Sequence, residues 1–275
     1  MRHRGTDLTG KKAVITGASS GIGRELALAL AARGVMLALA ARREDLLDDL
    51  ADEVSRAGAP RPAVLPVDLA VSGAAADLGH RALEALGAVD IVVNNAGTNL
   101  TGAQSLVADS AAARAVFEVN LWAPLALTSA LLPAMRTANA GVIVNITSTV
   151  QAVPLPLLGY YAASKAALAQ ATKSLRLELA GTGVRVIEVV PGSTDTALRD
   201  VDELPWKGAP PPTFPPAAPS STAAAIVRAL QRGSDRVVHP RYSLLPLEVP
   251  ALGRLVAALG ARRIDTGAAT AQPRP

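Results

Sequence analysis

Tyr161 and Lys165 stand four residues apart in Tyr-Ala-Ala-Ser-Lys. That spacing puts a phenol and an ammonium on one face of a helix. A neighbouring cation favours the ionised phenol. A free phenol ionises near pH 10, and each unit of lowering corresponds to about 1.4 kcal/mol. Lowering it by about three units asks roughly 4 kcal/mol of the site, within reach of a fixed ammonium and a cationic cofactor. Such a pair can give a proton to a substrate oxygen, or take one, near neutral pH. The spacing alone is common and often reports a tyrosine beside a solvated lysine. Its meaning depends on whether the chain also supplies a cofactor and a second donor.

A cofactor signal lies at the other end of the chain. The strand pattern Lys12-Ala-Val-Ile-Thr16 runs into Gly17-Ala-Ser19-Ser20-Gly21-Ile22-Gly23 and then a helical pattern. Gly17 permits a tight turn, Gly21 a close approach of pyrophosphate to the backbone, and Gly23 close packing of the helix on the strand. The N–H groups at the start of that helix favour a phosphate. No Gly-Lys-Ser/Thr follows, which argues against a P-loop. The second strand pattern ends in Ala40-Ala41-Arg42-Arg43. A carboxylate there would suit the ribose 2′-hydroxyl of NAD, whereas arginine suits the 2′-phosphate of NADP. Glu44 and Asp45 read as the negative first turn of the next helix. NADP(H) is therefore favoured over NAD(H), with Arg42 and Arg43 as its candidate ligands.

The elements that must position these groups alternate. Apolar runs at Ala13–Thr16, Met36–Ala40, Ala63–Val67, Asp90–Asn94, Val142–Ile146, Val184–Val190 and Arg236–Val238 predict strands. Between them, Gly23–Arg33, Glu44–Ala57, Ser72–Leu86, Ala111–Met135 and Tyr161–Leu179 predict helices. Near-continuous apolar strands separated by helices imply a parallel sheet covered on both faces. Right-handed crossovers then give an α/β, Rossmann-type, doubly wound parallel sheet of about seven strands. Residues 1–275 are expected to form one such domain. A proline-rich segment, 196–221, interrupts the rhythm and predicts a substrate lid. A helix is expected at Thr222–Arg232. A helical extension spans 244–275, with Leu252, Leu255, Val256 and Leu259 at helical spacing in Ala251–Ile264. Core or subunit packing is the favoured use of that helix over contact with a membrane surface.

Composition narrows the function classes. The chain has 275 residues, half of them hydrophobic but only 3% aromatic, and no cysteine. Disulfides, thiolate zinc sites and cysteine nucleophiles are excluded. The net charge of +4 is spread over arginines without a basic block, so nucleic-acid binding is not expected. His3, His80 and His239 have no metal-ligand spacing. The N-terminus has no apolar run of the signal-peptide kind, and no uninterrupted apolar stretch of about eighteen residues predicts a spanning helix. A cytoplasmic location is the expectation.

Several motifs occur in an order that resembles the classical short-chain dehydrogenases/reductases. They are the glycine turn, Asp68 with Leu69 after the third strand, Asn94-Asn95-Ala96-Gly97 after the fourth and Asn120 in Phe-Glu-Val-Asn. Ser148 in Asn-Ile-Thr-Ser, the Tyr161–Lys165 pair and Pro191-Gly192-Ser-Thr194-Asp-Thr196 complete the order. The resemblance covers roughly 8–198 and is silent beyond, where substrate specificity of the family usually resides.

The resemblance implies hydride transfer between nicotinamide and a ketone or secondary alcohol. Tyr161 would be the acid or base, with Lys165 lowering its pKa and bonding the nicotinamide ribose. Ser148 would donate to the substrate oxygen. Asn120 would hold a water linking Lys165 to solvent. Asp68 would contact adenine, Asn95 to Gly97 the adenosine ribose side, and Pro191, Gly192, Thr194 and Thr196 the nicotinamide. Val150, Val153, Pro154, Leu155, Leu157, Leu158 and Trp206 suggest an apolar substrate. A homodimer or homotetramer is implied. Two other readings stand beside this: an NADP(H)-sensing regulator without turnover, and a membrane-surface enzyme acting on a lipid-like ketone.

Overall fold

The apolar runs pair side by side because the inner ones are buried on both faces and can satisfy their backbone only through their neighbours. The computed structural model describes residues 5, 7–196, 204–208 and 216–267. Its strands are β1 (Lys12–Thr16), β2 (Met36–Ala41), β3 (Ala63–Pro66), β4 (Ile91–Asn94), β5 (Gly141–Ile146), β6 (Val184–Pro191) and β7 (Arg236–His239). They form one parallel sheet of seven strands in the order β3-β2-β1-β4-β5-β6-β7. Val14 sits opposite Ala38 on one side and Val92 on the other. The strand order reverses between β1 and β4, which opens a crevice at their carboxyl ends.

The helices are α1 (Gly21–Ala31), α2 (Glu44–Arg56), α3 (Ala74–Leu86), α4 (Gln104–Val107), α5 (Ala111–Phe117), α6 (Ala123–Thr137), α7 (Gly159–Glu178), α8 (Pro219–Arg232), α9 (Leu244–Glu248) and α10 (Pro250–Arg262). One face of the sheet packs on α1, α2 and α8 through Leu26, Leu30, Leu50 and Ile226. The other packs on α3 and α6 through Leu78, Leu127, Leu131 and Met135, with Leu175 of α7 against it.

The expected helix Ala111–Met135 is broken into α5 and α6 by a π-type turn at Glu118–Trp122, and it runs on to Thr137. Helical sequence patterns do not announce a change from i+4 to i+5 bonding. The joined run 111–137 is long and apolar enough to cross a membrane, contrary to the expectation, but 44% of its apolar window is buried inside the protein. It packs on α3 and α7. The short helices α4 and α9 fall below the length that periodicity can reveal. Helix α8 begins at Pro219, three residues before the expected start, because proline suits a first turn.

Of the predicted lid, residues 197–203 and 209–215 lie outside the described residues, with Pro210, Pro211, Pro212 and Pro215 among them. The described parts are anchored. Thr194 pairs in parallel with Ala217, and Trp206 pairs antiparallel with Ile264. Leu204 and Ile264 join Leu157 and Leu158 in a third apolar cluster, against which Leu155 and Trp206 pack. The chain beyond 244 thus folds back onto the segment preceding α7.

Candidate active site

Two backbone turns and one helix set the geometry of the crevice. The first turn leaves β1 at Gly17 with φ +65 and enters α1 at Gly21 with φ +55, both in the left-handed region that glycine tolerates. A Cβ at Gly17 would lie 2.8 Å from Ala96 Cα, and one at Gly23 would lie 2.3 Å from Gly17 O. Gly23 therefore packs beneath the turn and does not line the crevice, as its predicted role requires. A Cβ at Gly21 would lie 3.0 Å from Thr196 Cγ2, so the glycine turn and the Pro191–Thr196 segment face each other. Asn95 locks the arrangement by donating from Nδ2 to Thr16 O at 2.9 Å and Gly17 O at 3.1 Å. Thr16 Oγ1 accepts from the N–H groups of Asn95 and Ala96.

A buried ladder carries the order toward α7. Asn94 Nδ2 donates to Asn145 Oδ1 at 2.8 Å, and Asn145 Nδ2 donates to Thr172 Oγ1 at 2.9 Å. Strands β4 and β5 and helix α7 are thereby held in one register near the strand ends.

On α7, Lys165 is 2% exposed and donates from Nζ to Ile146 O at 2.9 Å. Its Nζ lies 5.8 Å from the centre of the Tyr161 ring. The ammonium thus stands over the ring of Tyr161, on the same helix. Burial penalises the ammonium and brings the Lys165 pKa down to about 8. Among the described residues, Ile146 O is its one hydrogen-bond partner, which leaves donor capacity for a bound group. Ser148 follows β5 and caps the short turn Thr149–Gln151, its Oγ accepting from Val150 N at 3.4 Å. That use as a cap leaves the hydroxyl proton to donate.

Tyr160 is drawn away from the crevice, its hydroxyl donating to the carbonyl of Ala108 and, at 3.3 Å, to that of Gln104. Asn120 sits in the π-type turn and is fully buried. Its Oδ1 accepts from Thr98 N at 2.9 Å, and its Nδ2 donates to Thr98 O at 2.8 Å and Ser164 Oγ at 2.9 Å. Ser164 Oγ in turn donates to Tyr161 O at 2.8 Å. Through these partners Asn120 braces the first turns of α7.

These elements enclose one cavity of about 1070 Å³. It is lined by Gly17, Ser19, Ser20, Gly21 and Ile22 at the first turn, and by Arg42, Arg43, Asp68 and Leu69 beyond it. Asn95, Ala96 and Gly97, then Ser148, Tyr161 and Lys165, and Pro191, Gly192, Thr194 and Thr196 line the rest. Every predicted site residue except Gly23 and Asn120 is brought there. Arg43 Nη2 reaches back to the hydroxyls of Ser19 at 3.2 Å and Ser20 at 3.4 Å, while the Arg42 side chain is exposed.

The apolar part of the lining contains Val150, Val153, Leu155, Leu158 and Trp206, as expected. Pro154 is exposed outside it, and Leu157 points into the third apolar cluster. Sequence reasoning missed Val256, Leu259, Gly260 and Arg263, which also line the cavity. Their one signal is the glycine pair on α10. A Cβ at Gly260 would lie 2.8 Å from Leu155 Cδ2, and one at Gly253 would lie 2.7 Å from Pro246 O. Glycines seven apart let α10 lie against its neighbours along one face.

The arrangement fits a dinucleotide. Gly17 and Gly21 leave backbone open at the first turn, cationic groups flank one end, and a buried ammonium with unused donors stands at the other. No group of acidic or histidine side chains able to hold a metal occurs among the described residues.

The family model described as short chain dehydrogenase matches residues 11–204. A protein of Pseudocercospora fijiensis named short chain dehydrogenase is 40% identical over 199 residues, 71% of this chain and 63% of its own length. The chain thus spans under two thirds of that relative. A protein of Sesamum indicum named 11-beta-hydroxysteroid dehydrogenase A is 32% identical over 86% of this chain and 70% of its own. Among solved structures, a short chain dehydrogenase/reductase of Burkholderia phymatum in complex with NAD matches with TM-score 0.78 and 26% identity, over 94% of this chain and 98% of that one. A short chain dehydrogenase of Burkholderia cenocepacia in complex with NADP matches with TM-score 0.75 and 31% identity, over the same 94% and 98%.

Proposed function

The chain belongs to the short-chain dehydrogenase family, and from that membership we propose that it is an NADP-dependent enzyme interconverting an apolar ketone and its secondary alcohol. Family and relatives make it an oxidoreductase of a CH–OH group that takes a nicotinamide cofactor. The observation that carries the finer reading is the presence of Tyr161, Lys165 and Ser148 in the same cavity as the glycine turn.

In this reading the N–H groups of the turn at Gly17–Ile22 hold the pyrophosphate. Asp68 and Leu69 flank the adenine, and Asn95, Ala96 and Gly97 the adenosine ribose. Lys165 bonds the nicotinamide ribose, and Pro191, Gly192, Thr194 and Thr196 lie along the nicotinamide. Bound there, the nicotinamide supplies or receives the hydride. Tyr161 gives its phenolic proton to the substrate oxygen in reduction and takes it back in oxidation. The Lys165 ammonium stabilises the phenolate that remains. The Ser148 hydroxyl donates to the substrate oxygen as charge develops on it. Asn120 positions Tyr161 and Lys165 through Ser164 and the start of α7.

NADP is supported by Arg42 and Arg43 at the end of β2, where no carboxylate ends the strand. An apolar substrate is supported by the Val150, Leu155, Trp206 and Val256 lining. A regulator that senses NADP(H) without turnover is disfavoured, because the tyrosine, lysine and serine are all present. The same proposal places the protein in the cytoplasm as a homodimer or homotetramer, for which the exposed Trp122 and Leu177 offer apolar contacts.

The test is a panel of ketones assayed with NADPH and NADH for the parent chain and Tyr161→Phe. Faster turnover with NADPH is expected, as is a loss of roughly 10²-fold or more in kcat for the variant with cofactor binding retained. Undiminished turnover by Tyr161→Phe would overturn the assignment.

A further inference from the structure

We propose that the hairpin of α9 and α10 docks on an anionic lipid surface, which would present apolar substrate to the cavity mouth. Among the described residues eleven large apolar side chains stand exposed, and seven of them fall between Tyr242 and Leu259. They include Leu245 at 60%, Leu255 at 54% and Leu259 at 53% exposure. The two helices meet at a bend of 103°. The inner side of α10 is occupied, since Gly253 and Gly260 lie against Pro246, Ala152 and Leu155. The outer side carries Leu255 and Leu259 together with Arg254 and Arg262.

Charge decides which occupant this face fits. Arg241, Arg254, Arg262 and Arg263 are exposed across 241–263, against one acid, Glu248, which is already paired with Arg236. A second copy on a two-fold axis would set these arginines against themselves. An anionic bilayer would attract them. Their stems can lie along the apolar face while the guanidinium groups reach the headgroups.

The face is also continuous with the site. Val256 and Leu259 are both exposed at the surface and part of the cavity lining. A molecule dissolved in the acyl layer would therefore reach the Leu155 and Trp206 wall without crossing water. This route rests on the proposed activity, but the docking itself does not.

Co-sedimentation of the full chain with phosphatidylcholine–phosphatidylserine vesicles and with pure phosphatidylcholine vesicles tests it. Binding to the mixed vesicles is expected, weakened by salt. A loss of roughly tenfold or more is expected on neutral vesicles, for Arg254→Glu with Arg262→Glu, and for Leu245→Glu with Leu255→Glu. None of these four side chains lines the cavity, so turnover of a small water-soluble ketone is expected to stay unchanged. A chain that remains in the supernatant with mixed vesicles overturns the proposal. So does a leucine-pair variant that retains vesicle binding, or one that changes only the oligomeric state in sedimentation velocity, which would assign the face to a second copy. Loss of turnover in Tyr161→Phe with docking intact would separate the two readings.

Discussion

Lys165 holds an energetic conflict, a buried ammonium with one protein partner among the described residues. Its ammonium is almost fully buried and its pKa lies at about 8, against an ordinary 10.5. The folded chain therefore binds fewer protons than the unfolded chain between those values, and its stability rises with pH across that window. At neutral pH the protein carries the cost of a charge it would shed if it could, roughly 3 kcal/mol in the cofactor-free state. Lys165→Met removes both the cost and the bond to Ile146 O. Urea unfolding of the cofactor-free chains is expected to favour the variant, relative to the parent, more near pH 7 than near pH 10, by roughly 2 kcal/mol or more. A pH-independent difference would mean that the ammonium is solvated. The identity of this pair was legible from a spacing of four residues, because the helix repeat fixes which side chains meet. The fate of Asn120 was not legible. Its partners Thr98 and Ser164 become neighbours only through the π-type turn and the approach of α7, and neither leaves a mark in the local sequence.

Between elements, a chain of charges links the turn that carries Ser148 to the C-terminal hairpin. Glu188 of β6 is 1% exposed. Its Oε1 accepts from Gln151 Nε2 at 3.0 Å, and Thr147 Oγ1 lies 3.4 Å away, so the residues bracketing Ser148 both reach it. Its Oε2 lies 3.3 Å from Arg236 Nε, and Arg236 also pairs with Glu248 of α9. The buried end of this chain matters most, since Glu248 is half exposed and its pairing is screened. Glu188→Ala is expected to cost about 3 kcal/mol in urea unfolding and to lower kcat, while Glu248→Ala costs under about 1 kcal/mol. Equal costs for the two would mean that burial of Glu188 carries no weight. Sequence patterning reads β6 as an apolar run and passes over Glu188, because a run that admits Arg185 and Glu188 does not say what either meets. The seven strands themselves were legible nearly to the residue. Buried strands of a parallel sheet must be apolar on both faces, and few other sequences are.

Across the whole molecule the cavity divides by chain order. Cofactor-side groups come from the glycine turn, the ends of β2 to β4 and the segment after β6. The far wall comes from 150–158, Trp206 and α10. The first part was legible because backbone chemistry demands glycine and asparagine at fixed places. The second was not, because an apolar wall can be built from any apolar residues that tertiary packing delivers. Helix α10 showed only as an amphipathic stretch with several possible partners. Its docking depends on two glycines and on contacts remote in sequence. Trp206 pairs with Ile264, Lys207 N donates to Arg263 O at 2.7 Å, and Asp265 N donates to Pro205 O at 2.7 Å. A chain ending after Glu248 loses all of these together with Val256, Leu259, Gly260 and Arg263. The two main core clusters contain no residue beyond Val237, so the sheet and its helices are expected to fold unchanged. Cofactor affinity, read by fluorescence titration with NADPH, is expected to stay within about twofold, because the residues proposed to hold the dinucleotide are all retained. KM for a large apolar ketone is expected to rise by roughly tenfold or more, as about 1.4 kcal/mol of apolar contact is lost, while KM for a small ketone changes little. Equal rises for both substrates would show that α10 shapes the catalytic turn and not the substrate wall.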